Sequence, residues 1–284
     1  MSSDPTTAQP QQAGEPWWNE ALRVAIDAAH AGANELMARC GNAVVREKSP
    51  RDLVTDADTA SQEAIRTLVG RAFPEFNFIG EEDTAQRNGF AAPQQADRPC
   101  WVVDPLDGTA NYVHRLQNFA VSIALIQNGR PVVGVVLDPV YEECFTVVRG
   151  QGSRCDEAPI RVSGCDEIEQ ALIAFSFSAN VRRDSPEVAQ FTALLERAQA
   201  VRRLGSAALN LCYVAAGRLD GYWAPNVKPW DIAAGALLVE EAGGILTGVS
   251  GRPFNVWTAS CLAAATGSLH EQMRQATSMN SPNR

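Results

Sequence analysis

Four apolar residues, Cys100, Trp101, Val102 and Val103, run straight into the string DPLDGTANY. A short apolar run of this kind reads as a buried strand, and the residues just beyond it constrain the fold closely. The strand delivers Asp104 to its end, Pro105 has no N–H with which to extend a ladder, and the turn brings Asp107 back beside Asp104. Such a D-x-x-D turn can point two carboxylates and the Leu106 carbonyl at one small volume. Carboxylates that close repel one another and raise a pKa unless a cation neutralises them, and hard oxygen donors suit Mg²⁺. Gly108 and Thr109 come next, with backbone N–H groups that can open toward an anion. Metal-binding acids beside an anion cradle point to metal-assisted hydrolysis of a phosphate ester.

Two more acid clusters lie at element boundaries. Asp56 and Asp58, in DLVTDAD, open a helix predicted over 55–72 with Thr55 as its N-cap, and GEED, residues 80–83, comes after the strand FNFIG. Taken singly, an acid at a helix start is more often a cap or dipole partner than a ligand, and acids in a turn are usually solvated.

Around these clusters the spacing predicts a long amphipathic helix over 17–40, a short strand over 42–47 and a loop at KSPRDLV. Strands are expected at 119–127, 132–137 and 143–148, then a strand at 171–175 and a helix near 185–200. A strand at 201–204, a small-residue helix at 206–216 and a helix at 230–242 complete the pattern. A chain of 284 residues suggests two closely packed lobes, 15–150 and 151–275, with disordered tails at 1–14 and 276–284.

With 24 basic against 33 acidic residues, a net charge of −9, the chain lacks the basic balance expected of a nucleic-acid or anionic-membrane partner. No apolar run approaches the ~20 residues that span a bilayer. MSSDPTTAQPQQAGEP carries neither the basic nor the apolar region of a secretory signal. Seven irregularly spaced cysteines without a C-x-x-C fit a reduced, cytoplasmic setting, and three scattered histidines make a histidine-built zinc site a poor reading.

Two C-x₅-R strings, Cys40 to Arg46 and Cys155 to Arg161, imitate a cysteine-phosphatase loop, but neither has its glycines. DPLDGT also differs from the D-x-D-G-T of haloacid dehalogenases by one residue, which places its two acids three apart instead of two. Trp17, Trp18, Trp223 and Trp257 read as core or interface aromatics, His114 as a solvated loop residue, and the pairs Arg182-Arg183 and Arg202-Arg203 as surface charge.

DLVTDAD, GEED, DPLDGTANY and the run RRLGSAALNLCYVAAGRLDGYWAPNVKPWDIAAGALLVEEAGG, in this order and spacing, together resemble the inositol monophosphatase family over roughly residues 20 to 275. The resemblance implies a layered αβαβα sandwich of the kind shared with fructose-1,6-bisphosphatase, its site lying between the lobes. It also implies hydrolysis of inositol 1-phosphate by a metal-activated water, with histidinol phosphate and other small phosphate esters as alternatives, and a homodimer.

Carried over by motif, Glu81, Asp104 and the Leu106 carbonyl would hold one Mg²⁺, and Asp104, Asp107 and Asp231 a second. Glu81 would also help position a weaker third. Asp58 with Thr109 would orient the attacking water, while Gly108, Thr109 and Ala110 would donate to the phosphate. Gly205, Ser206 and Ala207 would touch the substrate alcohol, with Asp107 and Asp231 lining the same pocket. One departure stands out: Ala224 occupies the position where these enzymes often carry a glutamate for an inositol hydroxyl, with Asn226 and Lys228 just beyond it.

Overall fold

Small side chains set how closely the first layer packs. Helix α1 (Trp17–Arg39) buries Ala21, Ala25, Ala28, Ala29, Gly32 and Ala33 on one stripe. That stripe lets α2 (Asp56–Ala72) lie close against it, so that a Cβ at Gly32 would stand 2.7 Å from Ser61 Oγ. The computed structural model describes residues 17–49, 51–85, 98–178, 180–258 and 260–278. The expected tail at 1–14 lies outside these.

Between α1 and α2 stands an antiparallel hairpin, β1 (Val45–Ser49) with β2 (Asp52–Thr55). The chain then runs through β3 (Asn77–Gly80), α3 (Glu81–Ala85), β4 (Cys100–Asp107), α4 (Thr109–Val113), β5 (Ala120–Gln127), β6 (Arg130–Asp138), β7 (Glu143–Val148), β8 (Ser153–Cys155) and β9 (Ala158–Pro159). Strands β3 to β9 form one seven-stranded sheet in sequence order. Its central strands are buried along almost their whole length because helices cover both faces, which is why they read as continuous apolar runs.

The remaining elements are β10 (Leu172–Phe175), α5 (Pro186–Leu195), β11 (Ala200–Arg202), α6 (Ala207–Ala215), β12 (Gly221–Ala224), α7 (Pro229–Glu241), β13 (Ile245–Thr247), β14 (Cys261–Ala264) and α8 (Gly267–Ser278). Their strands make a second sheet in the order β11-β10-β12-β14-β13. Helices α1 and α2 cover one face of the large sheet, α6 and α7 fill the space between the sheets, and α5 and α8 cover the far face of the small one. The layers therefore run α, β, α, β, α.

Several expectations need correction. The segment expected as the loop KSPRDLV instead carries the end of β1, Lys48 and Ser49, and most of β2, Asp52 to Val54; its few apolar residues gave no period-2 signal, and cross-strand pairing supplies what local pattern lacks. The seven-stranded sheet continues past residue 150 to Pro159, because β8 pairs with β7 and β9 with β8. Helix α8 reaches Ser278, so residues 276–278 are helix and not tail. Cys155 pairs with Phe145 within the sheet, which removes it from any phosphate loop. No helix among the described residues is long and apolar enough to cross a membrane.

Candidate metal centre and active site

Strand β4 does not end at Pro105. It continues to Asp107 through a bulge, Asp104 pairing with Ser122 and Asp107 with Ala120, so three steps on β4 face two on β5. A bulged residue drops out of the ladder, and proline is tolerated there because no donor is missed. The consequence is chemical. Side chains alternate faces along a strand, so acids three apart would point to opposite sides; the extra residue brings Asp104 and Asp107 to the same one. Ser61 Oγ, from α2, donates to the Pro105 carbonyl at 2.9 Å and pins the bulge, while the Leu106 N–H donates to Asp104 Oδ1 at 3.0 Å.

Glu81 is presented from the neighbouring strand. β3 runs parallel to β4 and ends at Gly80, and α3 begins at Glu81. Gln62 of α2 fixes this junction: its Oε1 accepts from the Glu82 N–H at 3.0 Å and its Nε2 donates to Asp83 Oδ1. That approach requires glycine at position 80, where a Cβ would fall 2.1 Å from Gln62 Oε1. Asp231 comes from the other sheet's side, in the first turn of α7 after Pro229, its Oδ2 accepting from the Lys228 N–H at 2.7 Å. Ser206, the N-cap of α6, joins the two halves: its Oγ donates to Asp107 Oδ2 and accepts from the Leu209 N–H, while the Ala208 N–H also donates to Asp107 Oδ2 at 2.7 Å.

Asp104, Asp107 and Asp231 share one electrostatic fate. Burial, then Glu81, Asp107 and Asp231, drives the Asp104 carboxyl well above its usual range. Burial likewise lifts Asp107 to about 6, against the pull of Ser206 and backbone donors, and lifts Asp231 well up with Asp107 and Glu81 adding to it. Buried and crowded, these carboxyls resist ionising unless positive charge is brought to them.

Beside it, Thr109 Oγ1 lies 3.3 Å from Asp58 Oδ1 and 3.1 Å from the Leu106 carbonyl oxygen. Asp58 is fully buried and doubles as the reciprocal member of a capping box, its Oδ2 accepting from the Thr55 N–H at 2.8 Å and from Thr55 Oγ1 at 2.6 Å. Burial raises its carboxyl to about 6. Gly108 and Thr109 open α4, with Ala110 in its first turn, where helical N–H groups lack intrahelical acceptors.

The expected contact loop at Gly205, Ser206 and Ala207 is tied to α4 by Asn111, whose Nδ2 donates to the Leu204 carbonyl at 2.8 Å and the Asn118 carbonyl at 2.7 Å. Gly205, at φ 97°, could carry no side chain there; its Cβ would meet Asn111 Nδ2 at 2.6 Å. Reading the sequence missed Asn111, although it lies inside DPLDGTANY, and it missed Ser61, Gln62 and Lys48, whose roles depend on partners distant in the chain. Ala224 is fully buried, paired with Cys261 in the small sheet.

Chemically, the donors are carboxylate and carbonyl oxygens, the set that hard divalent cations prefer. Among the described residues the acids do not already close a cage of three on one point. Each of Asp104, Asp107 and Asp231 instead has one oxygen secured by a protein donor. It is the chemistry of these oxygen donors that fits Mg²⁺.

Fold and site define a class, the five-layer α/β proteins with an acid-rich centre between their sheets. Within it, this chain belongs to the inositol monophosphatase family, whose sequence pattern matches residues 17–281. Similar proteins carry two kinds of name. A Nus factor SuhB of Pasteurella multocida is 39% identical over 87% of this chain and 92% of its own length, and an inositol monophosphatase 3 of Solanum lycopersicum is 40% identical over 80% and 84%. Among solved structures, inositol monophosphatase from Anabaena (Nostoc) superposes with a TM-score of 0.81 at 37% identity, over 93% of this chain and 97% of that one.

Proposed function

We propose that this protein is a Mg²⁺-dependent phosphomonoesterase that hydrolyses inositol 1-phosphate to inositol and phosphate. The observation that carries the reading is the convergence of Glu81, Asp104 and Asp107, at strand ends of the large sheet, with Asp231 of α7 beside the Asp58–Thr109 pair. Glu81, Asp104 and the Leu106 carbonyl are the residues to hold one Mg²⁺, and Asp104, Asp107 and Asp231 a second. Bound there, Mg²⁺ supplies a water of lowered pKa and neutralises the leaving alkoxide.

The chain's own groups do the rest. Asp58 accepts a hydrogen bond from the Thr109 hydroxyl, which leaves the lone pairs of the Thr109 oxygen to orient a water, and the first-turn amides of α4 are placed to donate to the phosphate oxygens. No serine, cysteine or histidine nucleophile is needed. Phosphate release with Mg²⁺ from inositol 1-phosphate, histidinol phosphate, fructose 1,6-bisphosphate and adenosine 3′,5′-bisphosphate tests both reaction and substrate. Inositol 1-phosphate should give the highest kcat/KM; no turnover on any of them sinks the reading.

Two observations support other readings. Ala224, buried in β12, offers no acceptor for a polyol hydroxyl, which favours histidinol phosphate or another small ester with the same chemistry. The Nus factor name borne by relatives of equal identity supports a role as a Nus factor. A chain that binds Mg²⁺ yet turns over no ester would favour that role.

A further inference from the structure

One buried charge has no part in the chemistry above. Lys48, on β1, places its ammonium between two neighbouring carboxylates, with Nζ 3.0 Å from Glu81 Oε1 and 2.8 Å from Glu82 Oε1. The side chain is only 14% exposed. Burial works against its charge, yet the two glutamates hold the amine above the ordinary lysine range. Glu81 is the acid assigned to the metal; Glu82 is not. A cavity of about 610 Å³ adjoins the pair, lined by Lys48 and Glu82 together with Arg46, Thr55, Asp56 and Glu63.

An ammonium is a cation with three donors, so in the metal-free chain Lys48 does for Glu81 part of what a metal would do: it neutralises the carboxylate and fixes its direction. A divalent ion and an ammonium on one carboxylate repel each other strongly where water is scarce. The two therefore compete for the charge of Glu81. Lys48 also has somewhere to go, because Glu82 already shares it and the adjoining cavity presents the carboxylates of Asp56 and Glu63. Its carrier is a two-stranded hairpin outside both large sheets, with a register irregularity between Glu47 and Ser49, so its withdrawal need not disturb a sheet.

We propose that Lys48 is an internal competitor for the metal: its ammonium holds Glu81 in the metal-free chain and withdraws onto Glu82, beside the cavity, when a divalent ion binds. Lys48 thereby sets the metal concentration at which the centre fills. The proposal rests on the metal-centre reading and is tested without turnover. Full-length protein stripped with EDTA is titrated with Mg²⁺ by calorimetry and with Mn²⁺ by electron paramagnetic resonance, in the absence of substrate.

Lys48→Met should bind either ion roughly tenfold more tightly, the size expected for removing one partly buried charge-assisted contact. Arg46→Met, which removes the same charge from the same hairpin, should change binding by less than about twofold, because it reports only the general field. Glu82→Gln should weaken binding in the wild-type background, by leaving Lys48 to Glu81 alone, and weaken it much less in Lys48→Met; that coupling separates a shared contact from two independent charges. Lys48→Gln serves if the methionine variant does not fold. Binding in Lys48→Met that is weaker than wild type, or no tighter than in Arg46→Met, overturns the competitor. No saturable Mg²⁺ binding in the wild type would instead overturn the metal centre itself.

Discussion

Asp104 is the acid that both proposed metals would share. It is 2% exposed and next to three other carboxylates, with the Leu106 N–H donating to one of its oxygens. Asp104→Asn should lower Mg²⁺-dependent phosphate release by roughly a thousandfold or more, because it withdraws a carboxylate shared by both proposed metals. Folding should survive, since the amide removes repulsion; circular dichroism and an unchanged or raised denaturant midpoint in EDTA would show it.

The neighbouring acids predict a pH dependence whose sign can be worked out. Burial raises Asp58 and Asp107 to about 6 and Glu82 to about 7. Unfolded carboxyls titrate near ~4, so the folded chain binds these protons more tightly, and the stability they add is complete below about pH 4 and lost as pH rises through about 6 to 7. In EDTA the urea midpoint should therefore fall between about pH 5 and pH 7.5, and saturating Mg²⁺ should flatten the profile. A metal-free midpoint that rises over this range would contradict the charge balance described.

Among the elements, the start of α6 and the end of β3 carry the most consequence for their length. Ser206 caps α6 and donates to Asp107 at once. Ser206→Ala should cost about 2 kcal/mol in urea unfolding, combining a lost cap of ~1 kcal/mol with a lost bond to a buried carboxylate, and should weaken Mg²⁺ binding because Asp107 loses its orientation. At β3, Gly80→Ala forces Gln62 away from the Glu82 N–H. A loss of about 1 to 3 kcal/mol is expected, together with weaker metal binding through displaced Glu81, measured by calorimetry.

Other elements show where local pattern stops being informative. Thr55 as the N-cap of α2 and Pro229 at the start of α7 are dictated by side-chain chemistry within one turn, and both are found. The β4 bulge and the β1–β2 hairpin depend on a partner strand, and no periodicity within their own residues announces either.

At the scale of the whole molecule, the proposed ligands come from the large sheet and from the helical layer packed behind it. Glu81, Asp104 and Asp107 belong to or adjoin the large sheet, and Asp231 belongs to a helix packed between the two. A metal bound there stabilises the arrangement of both halves, by about 2.7 kcal/mol at a hundred times its dissociation constant. Mg²⁺ should accordingly raise a single cooperative unfolding transition, and Asp231→Asn should abolish most of that rise; an undiminished shift in this variant would place the ion elsewhere.

The sequence by itself determined most of the helices and central strands, which announce themselves through period and length, and it marked the acids, because carboxylates at strand ends and helix starts are visible one at a time; the layered architecture it offered only through the resemblance of its motifs to a family. It could not determine that Asp104 and Asp107 face the same way, that Ser206 joins the lobes or that Lys48 sits on Glu81. Those depend on a one-residue bulge and on contacts spanning 99 and 33 residues of chain. Only the packing of β4 against β5, of α6 against the large sheet and of a short hairpin beside α2 decides them, because a side chain's direction and partner belong to its neighbours in space as much as to its own segment.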